Sequence, residues 1–300
     1  MFGVTILGNN SALPAYNRHP TSQVISLNDQ LFLVDCGEGT QMQMNAYKIR
    51  RGKINHIFIS HLHGDHYFGL PGLITSYGLL GRINDLHLYA PAALQQILDL
   101  QLSISDTRLP YTLHFHALEN NYVLIDEDHV YVECFKVFHR IDCWGFLFRE
   151  KRNPRKINAE ATEKYNVPIT YYERLKKGED YIADGKTIPN NVLTIANKPV
   201  RSYAYCADTL YNELLVEKIK NVNMVYHEAT YLKDKEEKAI SRFHSTSVQA
   251  AQLAKLADAK CLLIGHFSST YETLDEFLLE AQEIFPQTQL ALEGQTYLIM

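Results

Sequence analysis

The stretch Ser60-His-Leu-His-Gly-Asp-His-Tyr-Phe-Gly-Leu-Pro-Gly72 places three histidines and one aspartate within six positions, in a chain that has only 13 histidines. It follows the apolar run Ile54-Asn-His-Ile-Phe-Ile-Ser60, which predicts a buried strand. Alternate side chains of a strand share a face, so His61 and His63 can point at one place, and Gly64 allows a tight turn towards Asp65 and His66. Imidazole and carboxylate groups suit zinc, with manganese or iron as weaker matches. The stretch therefore predicts a metal site at a strand end.

Three single ligand-type residues follow later predicted strands. His139 ends the run 131–139, Asp208 follows the run 202–206, and His266 follows the apolar run 261–265. Residues just beyond strand ends are the usual place for a site in an α/β protein. Four ligands from one turn cannot easily complete two coordination spheres, so these three residues complete the set that a binuclear site needs.

Composition and charge bound the class of protein. The 300 residues are 46% hydrophobic and 21% charged, as in a globular protein with a large core. Residues 1–8 are predicted to be a first strand and not a signal peptide, and no apolar run of about 18 residues predicts a membrane span. The five cysteines are odd in number and scattered, which favours buried thiols in a reduced, cytoplasmic protein.

Strand and helix patterns are mixed along the whole chain, which predicts an α/β fold. The predicted helices are 40–50, 66–80, 91–102, 211–220, 246–257 and 273–284, and the last predicted strand is 289–299. Thr246 and Thr273 are predicted N-caps, because Gln249 and Glu276 three residues later complete capping boxes.

The stretch from about 150 to 200 interrupts this pattern with four prolines and weak periodicity, and no strand or helix is predicted in it. Nine Lys or Arg and four Glu lie between Arg149 and Lys177, so this segment carries +5 in a chain whose net charge is −5. A local basic feature on an acidic body suits the attraction of a polyanion, although a solvated lysine-rich loop has the same composition.

Taken together, the motifs resemble the metallo-β-lactamase superfamily and, within it, ribonuclease Z, the tRNA 3′-processing endoribonuclease. The motifs are Leu-Gly8 with Pro14 and Arg18, Leu33-Val-Asp-Cys-Gly-Glu-Gly-Thr-Gln41, the histidine stretch through Leu73, Phe-His-Arg140, Ala-Asp-Thr209, His-Glu-Ala-Thr230, His-Ser-Thr246 and Gly-His-Phe-Ser268. The first histidine motif is typical of the superfamily only, whereas His-Glu-Ala-Thr followed by His-Ser-Thr is selective for ribonuclease Z. The resemblance implies one domain over 1–300, a four-layer αββα sandwich, with a flexible arm inserted at about 150–195.

The resemblance also implies the roles of the site residues. Two zinc ions per subunit are expected, with manganese as the alternative metal. Their implied ligands are His61, His63 and His139 for one ion, Asp65, His66 and His266 for the other, and Asp208 between them. Asp65 would also take the proton of the attacking water, and His244, oriented by Glu228, would protonate the leaving 3′ oxygen. Without the resemblance, Glu228 and His244 would be interpreted as a structural ion pair.

In the family that the chain resembles, the arm binds tRNA held by the other subunit, which implies a homodimer. The candidate tRNA contacts are Arg18, Arg152, Arg155, Lys156, Arg174, Lys176 and Lys177. The chain departs from the family in lacking a Gly-Pro pair in the arm and in having Tyr16, His19 and Thr270 where lysine, asparagine and arginine are usual. These departures bear on substrate choice, because none is an implied metal ligand.

The six other histidines considered are predicted to be surface or packing residues. They are His56, His87, His114, His116, His129 and His227. Although His114 and His116 alternate on a predicted strand as His61 and His63 do, no further ligand cluster follows them.

Three functions are compatible with the sequence. The favoured one is a zinc-dependent endoribonuclease that removes the 3′ trailer from precursor tRNA and leaves a 3′ hydroxyl. The alternative keeps the metal site but hydrolyses small phosphodiesters or thioesters. A metal-stabilised RNA-binding protein without catalysis is the third, and the complete ligand set argues against it.

Overall fold

The computed structural model describes residues 1–120, 122–151, 154–183, 185–197 and 199–300. The chain divides into two compact units, one made of Met1–Arg149 with Arg201–Met300 and the other of Glu150–Val200. No helix in these described ranges is long and apolar enough to cross a bilayer.

The strands in chain order are β1 Phe2–Gly8, β2 Asn10–Ser11, β3 Ser22–Leu27, β4 Gln30–Cys36, β5 Ile54–Phe58, β6 Leu86–Pro91, β7 Leu113–Leu118, β8 Tyr122–Asp126, β9 Val130–Lys136, β10 Trp144–Glu150, β11 Lys156–Ile157, β12 Tyr181–Ala183, β13 Lys186–Ile188, β14 Thr194–Ile195, β15 Ser202–Tyr205, β16 Met224–Glu228, β17 Leu262–Gly265, β18 Phe267–Ser268, β19 Thr288–Leu290 and β20 Thr296–Leu298. The α-helices are α1 Thr40–Ala46, α2 Gly64–Tyr67, α3 Leu70–Leu79, α4 Ala93–Ile104, α5 Ala159–Lys164, α6 Tyr172–Lys176, α7 Asn190–Leu193, α8 Val216–Ile219, α9 Glu236–Arg242, α10 Ser247–Leu256 and α11 Asp275–Ile284.

The first unit contains two seven-stranded sheets. The first sheet has the order β20-β1-β3-β4-β5-β6-β7, and the second has the order β19-β17-β16-β15-β10-β9-β8. Strands β4 to β7 run parallel in the first sheet, as do β15, β16, β17 and β19 in the second. Loops that follow parallel neighbours emerge at one edge of a sheet, which is where ligands bind in α/β proteins.

Aromatic side chains fill the space between the two sheets. Phe32 and Phe58 of the first sheet meet Phe146 and Phe148 of the second, with ring centroids 5.3–5.7 Å apart. Each of these side chains is fully buried, which stabilises the fold by about 2–3 kcal/mol per residue. Helices α1, α3 and α4 pack on the outer face of the first sheet, and α8, α10 and α11 pack on the second. The predicted four-layer αββα sandwich is confirmed.

Three details differ from the sequence-based expectations. Helix α10 has the predicted capping box on Thr246, but α11 begins after Leu274 with no side-chain cap, so the prediction of Thr273 was wrong. The predicted strand 289–299 is two strands in different sheets, because the chain turns at Gly294, whose φ is 79°. The predicted helix 211–220 is reduced to α8 and a preceding 3₁₀ turn capped by Asn212.

The second unit has its own small apolar core. Val167, Leu175 and Leu193 are buried in it. The Asn190 side chain holds the surrounding backbone, since its Nδ2 donates to the carbonyl oxygens of Leu175 and Glu179, each at 2.8 Å. The segment forms β11 to β14 and α5 to α7, elements that the sequence analysis did not predict. A core of so few residues leaves too short a pattern for periodicity to detect.

Candidate metal centre

The loops that leave one edge of the two sheets bring seven ligand-type side chains together. They are His61 and His63 after β5, Asp65 and His66 on α2, His139 after β9, Asp208 after β15 and His266 after β17. Within each of two groups, one ligand atom from every residue lies within 4.8 Å of the others. All seven are residues that the sequence singled out.

The first group consists of three imidazoles and one carboxylate. His63 Nδ1 lies 2.9 Å from His61 Nε2 and 3.1 Å from His139 Nε2. Asp208 Oδ2 lies 3.6 Å from His61 Nε2. His61 and Asp208 are almost fully buried.

The second group lies on the other side of Asp208. His66 Nε2 and His266 Nε2 are 3.3 Å apart, and Asp65 Oδ2 lies 3.6 Å and 3.4 Å from them. Asp208 Oδ1 is 3.4 Å from His66 Nε2 and 3.3 Å from His266 Nε2. The two carboxylate oxygens of Asp208 therefore face different groups, as a bridging ligand requires.

The carboxylate of Asp35 fixes the tautomer of His66. Asp35 Oδ2 accepts from His66 Nδ1 at 2.7 Å, which leaves the lone pair on Nε2. Asp35 also accepts from the Ser60 hydroxyl at 2.8 Å. Because this hydroxyl has given its proton to Asp35, its oxygen accepts from His61 Nδ1 at 3.0 Å, and the lone pair of His61 is likewise on Nε2.

Two other histidines are held in the same way. His139 Nδ1 lies 2.8 Å from the carbonyl oxygen of Phe243, which can only accept a hydrogen bond. His266 Nδ1 lies 2.9 Å from the hydroxyl oxygen of Thr230, whose proton is donated to Glu228. Both histidines therefore present a bare Nε2 to the site.

This donor set fits divalent metal ions. In the first group the lone pairs of His61 Nε2 and His139 Nε2 both face His63 Nδ1. In the second group two imidazole nitrogens meet a carboxylate. Asp208 Oδ1 is buried and lacks a partner with hydrogen-bond geometry, although two nitrogens are within 3.4 Å. Nitrogen and oxygen lone pairs this close to one another repel unless cations lie between them. Imidazole nitrogen and carboxylate oxygen are ligands that zinc prefers.

The ionisation of His61, His63 and Asp208 agrees with this interpretation. Burial, aided by the neighbouring histidines, lowers the pKa of His61 well below its ordinary value and lowers the pKa of His63 to about 4. Burial opposes ionisation of Asp208, but His266 and His66 hold its pKa well below the ordinary value. His66 differs, because burial opposes its charge but the carboxylates of Asp208, Asp65 and Asp35 raise its pKa well above the ordinary value, so this imidazole must lose a proton to bind a metal ion.

The backbone is strained at residues that border the site. His266 has a φ of 60°, and Asp35, Ala207 and Phe243 have φ values of 54°, 46° and 61°. A non-glycine residue in this left-handed region costs about 1–3 kcal/mol. Close approach of two loops adds a further constraint, since a Cβ on Gly69 would lie 2.2 Å from the carbonyl oxygen of Gly37.

A carboxylate–imidazole pair lies beside the two groups. Glu228 is fully buried, and its Oε1 is 2.8 Å from His244 Nδ1. The backbone N–H of Thr209 and the Thr230 hydroxyl also donate to this carboxylate. Burial acts against the charge of His244, but Glu228 raises the pKa of this imidazole to about 9. The pair can therefore hold a proton next to the site at neutral pH.

A cavity of about 610 Å³ opens onto these residues. Its walls include His63, Asp65, Asp208, His244 and His266. The metal groups and the Glu228–His244 pair therefore share one accessible space, which is large enough for a small ligand or for a few units of a polymer.

The loop that carries Arg18 borders the site. The backbone N–H of Ala12 donates to Asp65 Oδ2 at 2.7 Å. The Arg18 guanidinium is hydrogen-bonded within the protein. It donates to Asn10 Oδ1 at 3.0 Å and to the carbonyl oxygens of Glu272 and Tyr271. Arg18 does not line the cavity. It holds the loop in place, and its guanidinium is not presented to a substrate in this structure.

The candidate tRNA contacts in the second unit differ in whether their side chains already have partners within the protein. Arg152 lies outside the described residues. Arg155 Nε donates to Thr194 Oγ1 at 2.6 Å, whereas Arg174 pairs with Glu179 and Lys176 with Glu173, both at 2.7 Å. Lys156 and Lys177 are exposed. The exposed ion pairs are weak enough to exchange a carboxylate for a phosphate.

The structure also shows site residues that the sequence analysis did not name. Ser60, Thr230 and the Phe243 carbonyl set the tautomers of the ligands, and only Ser60, next to His61, had a visible signal. Three basic residues on the cavity wall, Arg140, Lys238 and Arg242, were also missed. Lys238 and Arg242 are four residues apart on α9, a helix that was not predicted.

Comparisons with known proteins give the family. Residues 2–151 match a family model described as "Anti-Pycsar protein Apyc1". A Bacteroides thetaiotaomicron protein named "Ribonuclease Z" is 45% identical over 296 residues, covering 98% of this chain and 94% of its own. A Porphyromonas gingivalis protein of the same name is 44% identical over 295 residues, covering 97% of each chain.

Solved structures agree. The short form of human tRNase Z matches with a TM-score of 0.72 and 25% identity, covering 99% of both chains. A metallo-β-lactamase fold protein of Bacillus subtilis matches with the same TM-score at 19% identity, again over 99% of both chains, and supports the fold alone. The family model covers only the first half of the chain, whereas these relatives match it end to end. The relatives named "Ribonuclease Z" are more than 40% identical to this chain over almost its whole length. The chain therefore belongs to the ribonuclease Z family and has the metallo-β-lactamase fold.

Proposed function

We propose that this protein is a two-metal endoribonuclease that cleaves precursor tRNA at its 3′ side, removing the trailer and leaving a 3′ hydroxyl. The observation that carries the proposal is the position of Asp208, whose two oxygens face two separate histidine groups. A pair of ions about 3.5–4 Å apart is suited to in-line displacement at phosphorus. The names of the end-to-end relatives support RNA as the substrate.

The residues around the cavity have complementary roles in this reaction. A bound pair of divalent ions supplies polarisation of the phosphodiester and a water of lowered pKa. Asp65, held by the Ala12 N–H, accepts the proton of the attacking water. His244, held by Glu228, donates its proton to the 3′ oxygen that leaves. The retained RNA therefore ends in a 3′ hydroxyl, and the released trailer begins with a 5′ phosphate.

Zinc is the metal that we assign, with manganese as the alternative. Five of the seven ligand atoms are imidazole nitrogens, which suit zinc better than magnesium or calcium. The residues that would hold the first ion are His61, His63 and His139, those that would hold the second are Asp65, His66 and His266, and Asp208 would bridge the two. Elemental analysis of the protein purified without added metal tests this assignment.

We further propose that the second unit binds the tRNA. Lys156, Lys177 and Arg155 provide positive charge, and phosphate contacts supply most of the affinity that does not depend on sequence. Replacing Lys156 and Lys177 with glutamine should raise KM for precursor tRNA more than it lowers kcat. An unchanged KM at physiological salt would contradict the role.

A homodimer in the cytoplasm completes the proposal. Leu79 and Ile83, at and just beyond the end of α3, are 88% and 82% exposed, and Ile104 at the end of α4 is 77% exposed. Exposed apolar residues of this kind are typical of protein interfaces. Light scattering should give the mass of a dimer for the wild type and of a monomer for Ile83→Glu if this face is used. Immunolocalisation should place the protein with its precursor tRNA substrate in the cytoplasm.

The decisive experiment is cleavage of a precursor tRNA labelled at its 5′ end. We expect one shortened product with a 3′ hydroxyl, loss of cleavage on chelation, and loss in Asp65→Asn. Asp99→Asn, which changes an exposed aspartate on α4, is the matched control and should cleave like the wild type. An intact precursor after incubation with metal-loaded enzyme would overturn the proposal.

A second candidate is hydrolysis of small phosphodiesters or thioesters. The cavity volume of about 610 Å³ favours it, because cavities of this size hold small ligands. Rapid turnover of a chromogenic phosphodiester, together with no cleavage and no binding of tRNA, is the outcome that would select this candidate.

A further inference from the structure

The cavity beside the metal centre has one basic side. Of the described residues that line it, the basic ones are Arg140, Lys238 and Arg242. All three are exposed, and the described part of the chain contains no carboxylate in salt-bridge contact with any of them. Outside the segment 149–177 the chain carries a net charge of −10, so unpaired cations at the cavity mouth stand out from an acidic body.

The three cations border the Glu228–His244 pair. Arg140 follows His139, whose Nδ1 contacts the carbonyl oxygen of Phe243 at 2.8 Å, and Arg242 directly precedes Phe243. Lys238 lies one helical turn before Arg242 on α9, so their side chains share a face of the helix. The basic side of the cavity is therefore the side of His244.

The other side of the cavity has a different character. Leu13 and Pro14 directly follow Ala12, whose N–H donates to Asp65, and Glu38 and Phe68 also line the cavity. None of these residues is basic, and the guanidinium of the nearby Arg18 is occupied by acceptors within the protein. Phosphates of an RNA strand would be attracted to one side of the metal centre and not to the other.

Arg140 becomes available when the site is loaded. Its Nε donates to His63 Nε2 at 3.0 Å. A neutral imidazole has a single lone pair. If His63 uses Nδ1, the atom that faces His61 and His139, to hold an ion, then Nε2 carries the proton and cannot accept. Arg140 must then find another acceptor, and a phosphate oxygen is the strongest one that an RNA offers.

We propose that Arg140, Lys238 and Arg242 form a phosphate clamp for the RNA strand on the 5′ side of the cleaved bond, which is the strand retained in the product. The direction follows from the proposed function, on which this inference rests. His244 protonates the leaving 3′ oxygen, and this oxygen belongs to the retained strand. Cations on the His244 side therefore hold the last phosphates of the retained tRNA, while the trailer lies over lining residues that carry no positive charge.

The test compares Lys238→Gln/Arg242→Gln with the control Lys255→Gln/Lys260→Gln. The control removes the same charge at exposed positions on and just after α10 that do not line the cavity. We expect the clamp variant to raise KM for precursor tRNA about tenfold with a much smaller change in kcat. The slope of log KM against log salt should fall by about 1.4, the value for two lost contacts to a single strand.

Binding assays without turnover test the direction of the clamp. The dissociation constant for mature tRNA that ends at the cut should rise about tenfold in the clamp variant, and that for a trailer oligonucleotide should stay constant. Arg140→Gln should show the same selectivity while it retains the metal content of the wild type. Equal losses for both RNAs, a loss for the trailer alone, or the same loss in the control would overturn the clamp. A wild type that cuts no precursor would overturn the proposed function, and the binding comparison would still decide the clamp.

Discussion

Two groups of histidines lie on the first sheet and have opposite chemistry. One follows β5 and includes His61 and His63, two residues apart. The other lies across β5, β6 and β7 and includes His114 and His116, with the same spacing. In the histidines of the candidate metal centre, bare Nε2 atoms face each other because acceptors on the far side of the rings hold the Nδ1 protons. Ser60 holds the proton of His61, and Asp35 holds that of His66.

In the second group of histidines the ring nitrogens are hydrogen-bonded to another histidine or to a neighbouring side chain. His56 stacks on His87 with ring centroids 5.0 Å apart, and His87 stacks on His114 at 4.7 Å, which reflects the spacing of the strands. His87 Nδ1 lies 3.0 Å from His116 Nε2, and His114 Nε2 lies 2.9 Å from Asp85. We call this second group the histidine ladder. The comparison indicates that nearby imidazoles suit a metal ion when their remaining nitrogens converge on one place together with carboxylates.

The largest expected effect is at the bridging carboxylate. Asp208→Ala removes the carboxylate whose two oxygens face the two ligand groups, so cleavage of precursor tRNA should fall about a thousandfold or more. His116→Gln, the same kind of polar change in the histidine ladder, should leave the rate within a factor of about two. Cleavage rates of the two variants should be compared under single-turnover conditions with saturating metal. Similar losses of rate in Asp208→Ala and His116→Gln would show that the candidate metal centre and the histidine ladder do not differ in function.

The next effect separates proton donation from metal binding. His244→Ala should lower kcat by about 10²–10⁴-fold, because the leaving oxygen loses its proton donor. Its metal content should equal that of the wild type, because His244 Nδ1 holds a proton against Glu228, even though His244 lies within ligand distance of Asp208 and His266. Elemental analysis checks this, and loss of an ion in His244→Ala would show that the imidazole is a ligand.

A smaller effect on metal binding is expected for a residue that hydrogen-bonds to a candidate ligand without being a ligand itself. Asp35→Asn weakens the acceptor that fixes His66, so metal affinity should fall about 10–100-fold. Asp85→Asn is the matched control, because Asp85 holds His114 in the histidine ladder in the same manner. Competition with a chelator measures both affinities. If Asp35→Asn binds metal as tightly as Asp85→Asn, the proposed control of tautomers is wrong.

The smallest effect concerns pH and the histidine ladder. Burial, together with His87, His116 and Arg82, lowers the pKa of His56 from 6.5 to about 4. The unfolded chain therefore binds a proton that the folded chain excludes, and the contribution of His56 to stability is present above pH 6.5 and is lost as the pH falls towards 4. The loss is at most about 3 kcal/mol.

Denaturant unfolding of the metal-free protein at several pH values measures this contribution. His56→Phe, which keeps a ring in the stack, should show a smaller decrease in the free energy of unfolding between pH 6.5 and 4 than the wild type. Parallel curves for the two proteins would show that His56 is not the group responsible.

The sequence predicted the centre of the site better than its surroundings. The seven ligand-type residues could be found because each follows an apolar run, and strand ends meet at one edge of a sheet. Of the acceptors behind them, Asp35 could be inferred from its motif, whereas two others could not be found. Phe243 acts through its carbonyl oxygen, which leaves no mark in the sequence, and Thr230 acts through its contact with Glu228 and His266.

The misses in the fold have similar physical causes. The run 289–299 has strand character throughout, and only the turn at Gly294 decides that its halves enter different sheets. The second unit is stabilised by three buried residues, which is too few for a periodic signal. Arg18 belongs to a motif that suggested substrate binding, but its length lets it reach the carbonyl oxygens of a loop more than 250 positions away.

The central claim is that Asp208 joins two ion sites in one chain, and counting ions by native mass spectrometry tests it most directly. After removal of all metal and titration with zinc, the wild type should take up two ions per chain, and Asp208→Ala should take up no more than one at the same free zinc concentration. A wild type that binds fewer than two ions, or an Asp208→Ala variant that binds two as tightly, would contradict the account.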